Sequence, residues 1–182
     1  MIAMEPTKEN VRVEGEQIYL RPITMEDTDL VIKWRNDERV VQNFIYRKPI
    51  TKEEHIQWME QKVAKGKVIQ FIICDKKTHQ ALGVVYIQNI EEEHSKAEEG
   101  IFLGETEAFG RGIGTEAARL MIQYAFEELG LHKLTARVLA YNMASRKMHE
   151  SAGYKQEAYF EKELFLDGKY EDLIFYGILH ES

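Results

Sequence analysis

The chain has 182 residues, 44% of them hydrophobic and 30% charged, an ordinary globular composition with enough length to bury one full core. The 31 acidic against 24 basic residues leave a formal charge of −7, which argues against the basic face of a nucleic-acid binder and leans towards a neutral or cationic partner. A lone cysteine, Cys74, excludes an intramolecular disulfide, and no apolar run reaches the length of a membrane span.

Residues 1–10 carry no periodicity and are expected to form a flexible lead-in, with residues 11–182 as one domain. No signal-peptide core is visible, so the reducing cytoplasm is the expected compartment. A strand is predicted over 11–22, with Val11, Val13, Ile18 and Leu20 on one face. Thr24 with Asp27, and Thr51 with Glu54, are helix-start signals. The first helix carries Leu30, Val31 and Trp34, the second Ile56, Met59 and Val63, and Pro49 separates them. Strands over 68–75, 81–90 and 96–103 follow; Cys74 lies in the first as an inert buried thiol, and the Glu91-Glu92-Glu93 cluster reads as a solvated loop. After Gly114, the residues Ala117, Ala118, Met121, Ile122, Ala125 and Phe126 form one apolar stripe at the helical period, closed by Gly130. A strand over 131–139, a short helix over 142–151 ending at Gly153, and a hairpin over 154–179 turning at Asp167-Gly168 complete the chain. The order implies an α/β (α+β) fold, a mixed, mostly antiparallel sheet of about seven strands with about four helices.

Between a strand and the long helix lies Phe109-Gly110-Arg111-Gly112-Ile113-Gly114-Thr115. Glycines let backbone approach a ligand, and a helix start carries free N–H groups and roughly half a positive charge. The pair makes an anion site; a glycine-rich turn without ligand is the alternative. The dinucleotide fingerprint Gly-x-Gly-x-x-Gly is not met, and no Gly-Lys-Ser/Thr follows for a P-loop.

The loop resembles the acetyl-CoA signature Gln/Arg-x-x-Gly-x-Gly/Ala of the Gcn5-related N-acetyltransferase (GNAT) superfamily, with Phe109 at the first position. Asn142-Met143-Ala144-Ser145 is similar to that family's Asn-x-x-Ser helix start, and Glu150-Ser151-Ala152-Gly153-Tyr154 to its Glu-Lys-x-Gly-Phe ending. The resemblance implies a GNAT fold that moves an acetyl group from acetyl-CoA, as co-substrate, to a primary amine by direct attack in a ternary complex. It implies cofactor contacts from the segment Phe109 to Thr115 and from Asn142, Ser145 and Arg146, with Arg111, Arg146 and Lys147 as candidate cations. Asn142 serves equally as a helix N-cap. A non-catalytic acyl-CoA-binding module of the same fold is the alternative.

Acetylating an amine of pKa about 10.4 at neutral pH first costs roughly 4–5 kcal/mol of deprotonation. Glu99, on the strand entering the loop, is the candidate base; Glu98 points to the other face. His149 stands where relatives carry a tyrosine, and is either the acid for the leaving sulfur or a packed helix residue. Tyr141 and Tyr154 are read as packing. Trp34, Arg35 and Asn36 are the substrate-binding candidates, by similarity to acetyltransferases of amino-sugar nucleotides. The last hairpin looks more like ribosomal-protein and spermidine acetyltransferases. The acceptor is accordingly a small-molecule amine or a protein N-terminus. The six histidines are scattered without ligand-like pairing, so no metal is expected, and an edge on the last hairpin allows a homodimer.

Overall fold

Alternation of apolar and polar residues, interrupted by polar and glycine turns, produces eight strands among the described residues: β1 (Val13–Glu14), β2 (Ile18–Pro22), β3 (Ile69–Asp75), β4 (Ala81–Glu91), β5 (Lys96–Leu103), β6 (Lys133–Leu139), β7 (Lys155–Leu166) and β8 (Lys169–Leu179). The structure is a computed structural model describing residues 11–181, so the expected lead-in at 1–10 lies outside the described residues. The strands form one sheet in the order β1-β2-β3-β4-β5-β6-β8-β7. Every pairing is antiparallel except β5 with β6.

The expected first strand is two. Gly15 donates to Ile18 O at 2.9 Å, and the Glu116 carboxylate accepts from the backbone N–H groups of Glu16 and Gln17 at 2.6 and 3.0 Å. A Cβ on Gly15 would lie 2.3 Å from Glu116 Oε1. The long helix therefore pins the turn, and a hairpin replaces a continuous strand. The Asp167-Gly168 turn is left-handed at both residues (φ 49° and 81°), as a type I′ hairpin requires.

Among the described residues five α-helices cover the sheet: α1 (Thr28–Arg35), α2 (Glu38–Val41), α3 (Lys52–Trp58), α4 (Ile113–Glu127) and α5 (Met143–Ala152). The one-turn α2, capped by Asp37 accepting from Arg39 N–H, has no counterpart among the expected elements. At α3 the Thr51/Glu54 capping box forms, with reciprocal bonds of 3.2 and 2.9 Å. The α4 stripe of Ile113, Ala117, Met121 and Ala125 is fully buried against Phe71, Val85 and Leu134 on one face of the sheet. On the other face Val31 and Trp34 of α1 pack with Ile72, Cys74 and Val84. Burying side chains of this size stabilises the fold by roughly 1.5–3 kcal/mol each.

One irregularity positions everything that follows. β5 and β6 pair only at Lys96↔Lys133, Ala97↔Leu134 and Glu98↔Thr135, although β5 continues to Leu103 and β6 to Leu139. Beyond Glu98 the two strands have no shared ladder, and the sheet is split.

Candidate active site

A cavity of about 650 Å³ occupies this split. It is lined by residues from both faces of the sheet: α4 and α5 supply Ile113, Ser145 and His149, while α1 and the segment after α2 supply Arg35 and Phe44. Two substrates entering from opposite faces can therefore meet without crossing the sheet.

The α4–α5 side is mainly backbone. Gly110 and Gly112 adopt φ of +73° and +74°, and a Cβ at either would meet nothing within 4 Å. Their glycine identity answers a left-handed backbone beside open space. Gly112 is the N-cap of α4, with no capping side chain. The first intrahelical bond runs from Glu116 N–H to Gly112 O, so the N–H groups of Ile113, Gly114 and Thr115 precede it and are free for an anion. The helix thus begins one residue before Gly114, and Gly114 answers packing: a Cβ there would stand 2.7 Å from Met148 Sδ of α5. Phe109 lines the cavity and is 53% exposed.

Asn142 and Ser145 line the same wall; Asn142 Oδ1 accepts from Ser145 N–H at 3.2 Å, capping α5. Two expected cations are engaged elsewhere. Arg111 pairs with Asp75 at 2.9 Å, tying the glycine loop to β3 and holding the Asp75 carboxyl well below the usual carboxylate range. Arg146 donates to Ala140 O at 3.1 Å, and neither arginine is among the lining residues. Lys147 does line the cavity.

At the split itself stand Glu99 and His149, 2% and 3% exposed. Glu99 Oε2 accepts a hydrogen bond from the Tyr154 hydroxyl, and Oε1 is buried without a partner. Burial pushes the Glu99 carboxyl up, opposed by the neighbouring His149 and the Tyr154 bond. Burial and Glu99 push the Tyr154 phenol well above its ordinary range, so it stays a hydrogen-bond donor. His149 Nδ1 lies 2.8 Å from Ser145 O and 3.2 Å from Ser145 Oγ. A carbonyl only accepts, so Nδ1 carries a proton, and Nε2 is the ring nitrogen left to face the cavity. That Nε2 is also buried and unpartnered. The ring is held by stacking on Tyr176 and an edge contact with Tyr154, with centroids 5.9 and 5.2 Å away.

On the opposite wall the three sequence candidates separate. Arg35 lines the cavity. Trp34 is fully buried, with Nε1 donating to Glu105 at 2.7 Å and its ring filling the space above Gly104. Asn36 bonds both Ile50 N–H and O at 3.1 Å, anchoring the chain ahead of α3. Neither Trp34 nor Asn36 is a lining residue. Glu98 does face away from Glu99, yet the split exposes that face too, and Glu98 lines the cavity paired to Arg137 at 2.9 Å.

Sequence reasoning missed Tyr86, Arg137 and the hydroxyl role of Tyr154. Tyr86 sits opposite Gly100 and lies across it: a Cβ on Gly100 would be 2.1 Å from the phenol ring. A glycine amid a strand was the available signal for such a close approach.

The family profile described as an acetyltransferase (GNAT) domain matches residues 17–155. "Probable N-acetyltransferase YjcK" of Bacillus subtilis is 28% identical over 168 residues, covering 88% of this chain and 92% of its own. The spermidine N-acetyltransferase from Vibrio cholerae, solved in complex with CoA and spermine, superposes with a TM-score of 0.84 at 22% identity, covering 91% and 96%. The ribosomal-protein-S5-alanine acetyltransferase from Vibrio fischeri gives 0.83 at 25% identity, covering 95% and 98%. With the split sheet, the left-handed glycines and the open start of α4 in place, the chain belongs to the GNAT family of acetyltransferases and uses acetyl-CoA as its co-substrate.

Proposed function

We propose that the enzyme transfers acetyl directly from acetyl-CoA to a primary amine, with both substrates held in the split between β5 and β6. The observation that carries this reading is the pair of buried, unpartnered atoms lining the split, Glu99 Oε1 and His149 Nε2. Unsatisfied polar atoms at such depth are costly unless a ligand or a transferred proton engages them. The N–H groups of Ile113, Gly114 and Thr115 hold the pyrophosphate of the co-substrate, and the α5 start beside Asn142 and Ser145 flanks its pantetheine arm.

Acetyl-CoA supplies a thioester, from which the amine nitrogen takes the acetyl group while the carbon–sulfur bond breaks. Glu99, ionised, takes the proton that the amine loses, directly or through one water. Its burial raises the carboxyl's affinity for that proton, and Tyr154 holds the other oxygen in place. His149 returns a proton to the departing sulfur only as imidazolium, because its Nδ1 proton is committed to Ser145 O. The two groups begin as an ion pair and finish neutral, so the proton count closes within the cavity.

A thiol-release assay over a panel of amines, with mass-spectrometric product identification, tests the reading. Turnover with an N-acetylated product is expected. Thermal stabilisation by acetyl-CoA with no turnover on any amine would instead establish a non-catalytic acyl-CoA-binding module.

A further inference from the structure

The wall facing α1 carries an arginine, Arg35, that has no ion-pair or hydrogen-bond partner among the described residues. Arg35 is part-buried in the cavity lining, and its guanidinium lies 5.1 Å from the centroid of the Phe44 ring, which also lines it. Among the described residues every other arginine has an ion-pair or hydrogen-bond partner. On this same wall Arg39 pairs with Asp37 and Arg137 with Glu98, whereas Arg35 has neither kind of partner. Burial lowers its pKa with no carboxylate opposing the shift, and the groups that act on it are the phenols of Tyr86 and Tyr46. Tyr86 is fixed across Gly100, and among the described residues no group hydrogen-bonds its hydroxyl. A forked donor and a phenolic donor at one cavity wall are the groups that recognise an oxyanion.

The complementary charge is missing. A polycationic acceptor needs free carboxylates for its second and third ammonium groups. The acidic residues lining the cavity are Glu98 and Glu99. Glu98 is taken by Arg137 and by Gln88 and Asn89, and Glu99 sits at the reacting centre. The net charge of −7 is therefore misleading locally, because the acceptor wall offers an unpaired cation.

We propose that the acceptor amine also carries an oxyanion, a carboxylate or a phosphate, which pairs with Arg35 and the hydroxyl of Tyr86. This assignment rests on the amine-acetylation reading of the same cavity.

The test compares matched acceptors: β-alanine with propylamine, phosphoethanolamine with ethanolamine, and an amino-sugar phosphate with its free amino sugar, with spermidine as the polycation. In the wild-type enzyme, at least one oxyanion-bearing member is expected to exceed its partner about tenfold or more in kcat/KM. Which pair does so separates carboxylate from phosphate. R35M should bring that ratio towards one, R35K should restore part of it, and Y86F should fall between. Melting temperatures of the variants confirm that they fold. Binding is read separately, as thermal shifts with propionate or inorganic phosphate in the presence of CoA. The proposal is overturned if spermidine and the neutral amines match the oxyanion-bearing ones, or if R35M keeps the discrimination. It is equally overturned if no oxyanion gives an Arg35-dependent shift. Absent turnover together with an Arg35-dependent shift would sink acetyl transfer and leave the anion site standing.

Discussion

The two walls of the cavity are built by different means. The α4–α5 wall is largely backbone: two left-handed glycines, three N–H groups at the open start of α4 and an asparagine cap. The α1 wall uses side chains drawn from distant segments: Arg35, Phe44, Tyr86, and Arg137 with Glu98. Backbone recognition suits a ligand that never changes, because N–H geometry survives most substitutions around it. Side-chain recognition is easily rebuilt, and it is on such a wall that relatives acting on different amines can diverge. The solved neighbours, a spermidine acetyltransferase and a ribosomal-protein acetyltransferase, share the frame at TM-scores of 0.84 and 0.83.

Substitutions can break or sharpen this contrast. The largest effect is expected where the walls meet. Glu99→Gln should lower kcat/KM by about 10²–10⁴ with a high-pKa amine, while the KM for acetyl-CoA stays near wild type in steady-state kinetics. Equal losses in both parameters would place Glu99 in cofactor binding instead. The pH dependence follows from burial, which raises this carboxyl. Activity should climb as pH rises through that raised value, and Glu99→Gln should abolish the acidic limb. Stability runs the other way. A carboxyl raised in the folded state favours folding while protonated, and that benefit is lost as pH rises through the folded value. Thermal melts at neutral pH should therefore show Glu99→Gln at least as stable as wild type, with the gap closing in acid.

Next comes Gly114→Leu. Its side chain must displace Met148 at the α4–α5 contact, and overpacking of this kind costs about 1–3 kcal/mol. Denaturant titration measures it, and an unaltered midpoint would show that α5 moves freely. Gly112→Ala imposes φ of +74° on a residue with a Cβ but meets no neighbour. About 1–2 kcal/mol of strain should surface as a higher Kd for CoA by calorimetry, because the cradle distorts while the core does not. The smallest effect is expected for Asn142→Ala. Losing the α5 cap costs about 1 kcal/mol, visible as a lower melting temperature. A wild-type melting temperature with weakened CoA binding would instead assign Asn142 to the ligand alone.

Much of the α4–α5 wall was legible because its determinants are local in sequence. Glycines at fixed spacing, an apolar stripe at the helical period and an asparagine beginning a helix each state a backbone requirement within a few residues. The roles within that wall were less legible. Gly114, expected at the ligand, also makes room for Met148, and Arg111, a candidate cation for the nucleotide phosphates, pairs with Asp75. Both contacts involve partners over 30 residues away, which no local pattern encodes. On the α1 wall, Trp34, Arg35 and Asn36 are consecutive, but the helix turn sends Trp34 into the core and Asn36 to Ile50, leaving Arg35 at the cavity. Sequence adjacency carries no such distinction, since successive helix residues point about 100° apart.

From its sequence alone this protein was committed to a mixed sheet, to a glycine-rich loop at the start of the long helix, and to Glu99 on the strand that leads there, because hydrophobic period, glycine placement and capping residues are local physical constraints. Only the tertiary structure decided that β5 and β6 part after three residue pairs and that the cavity lies in that gap. It alone placed the Tyr154 hydroxyl on Glu99 and left Arg35 without an ion-pair or hydrogen-bond partner among the described residues. Those outcomes depend on how elements far apart in the chain pack and on which buried polar atoms find one another. Burial turns an ordinary carboxylate or guanidinium into one that demands a ligand, and burial is a property of the folded assembly.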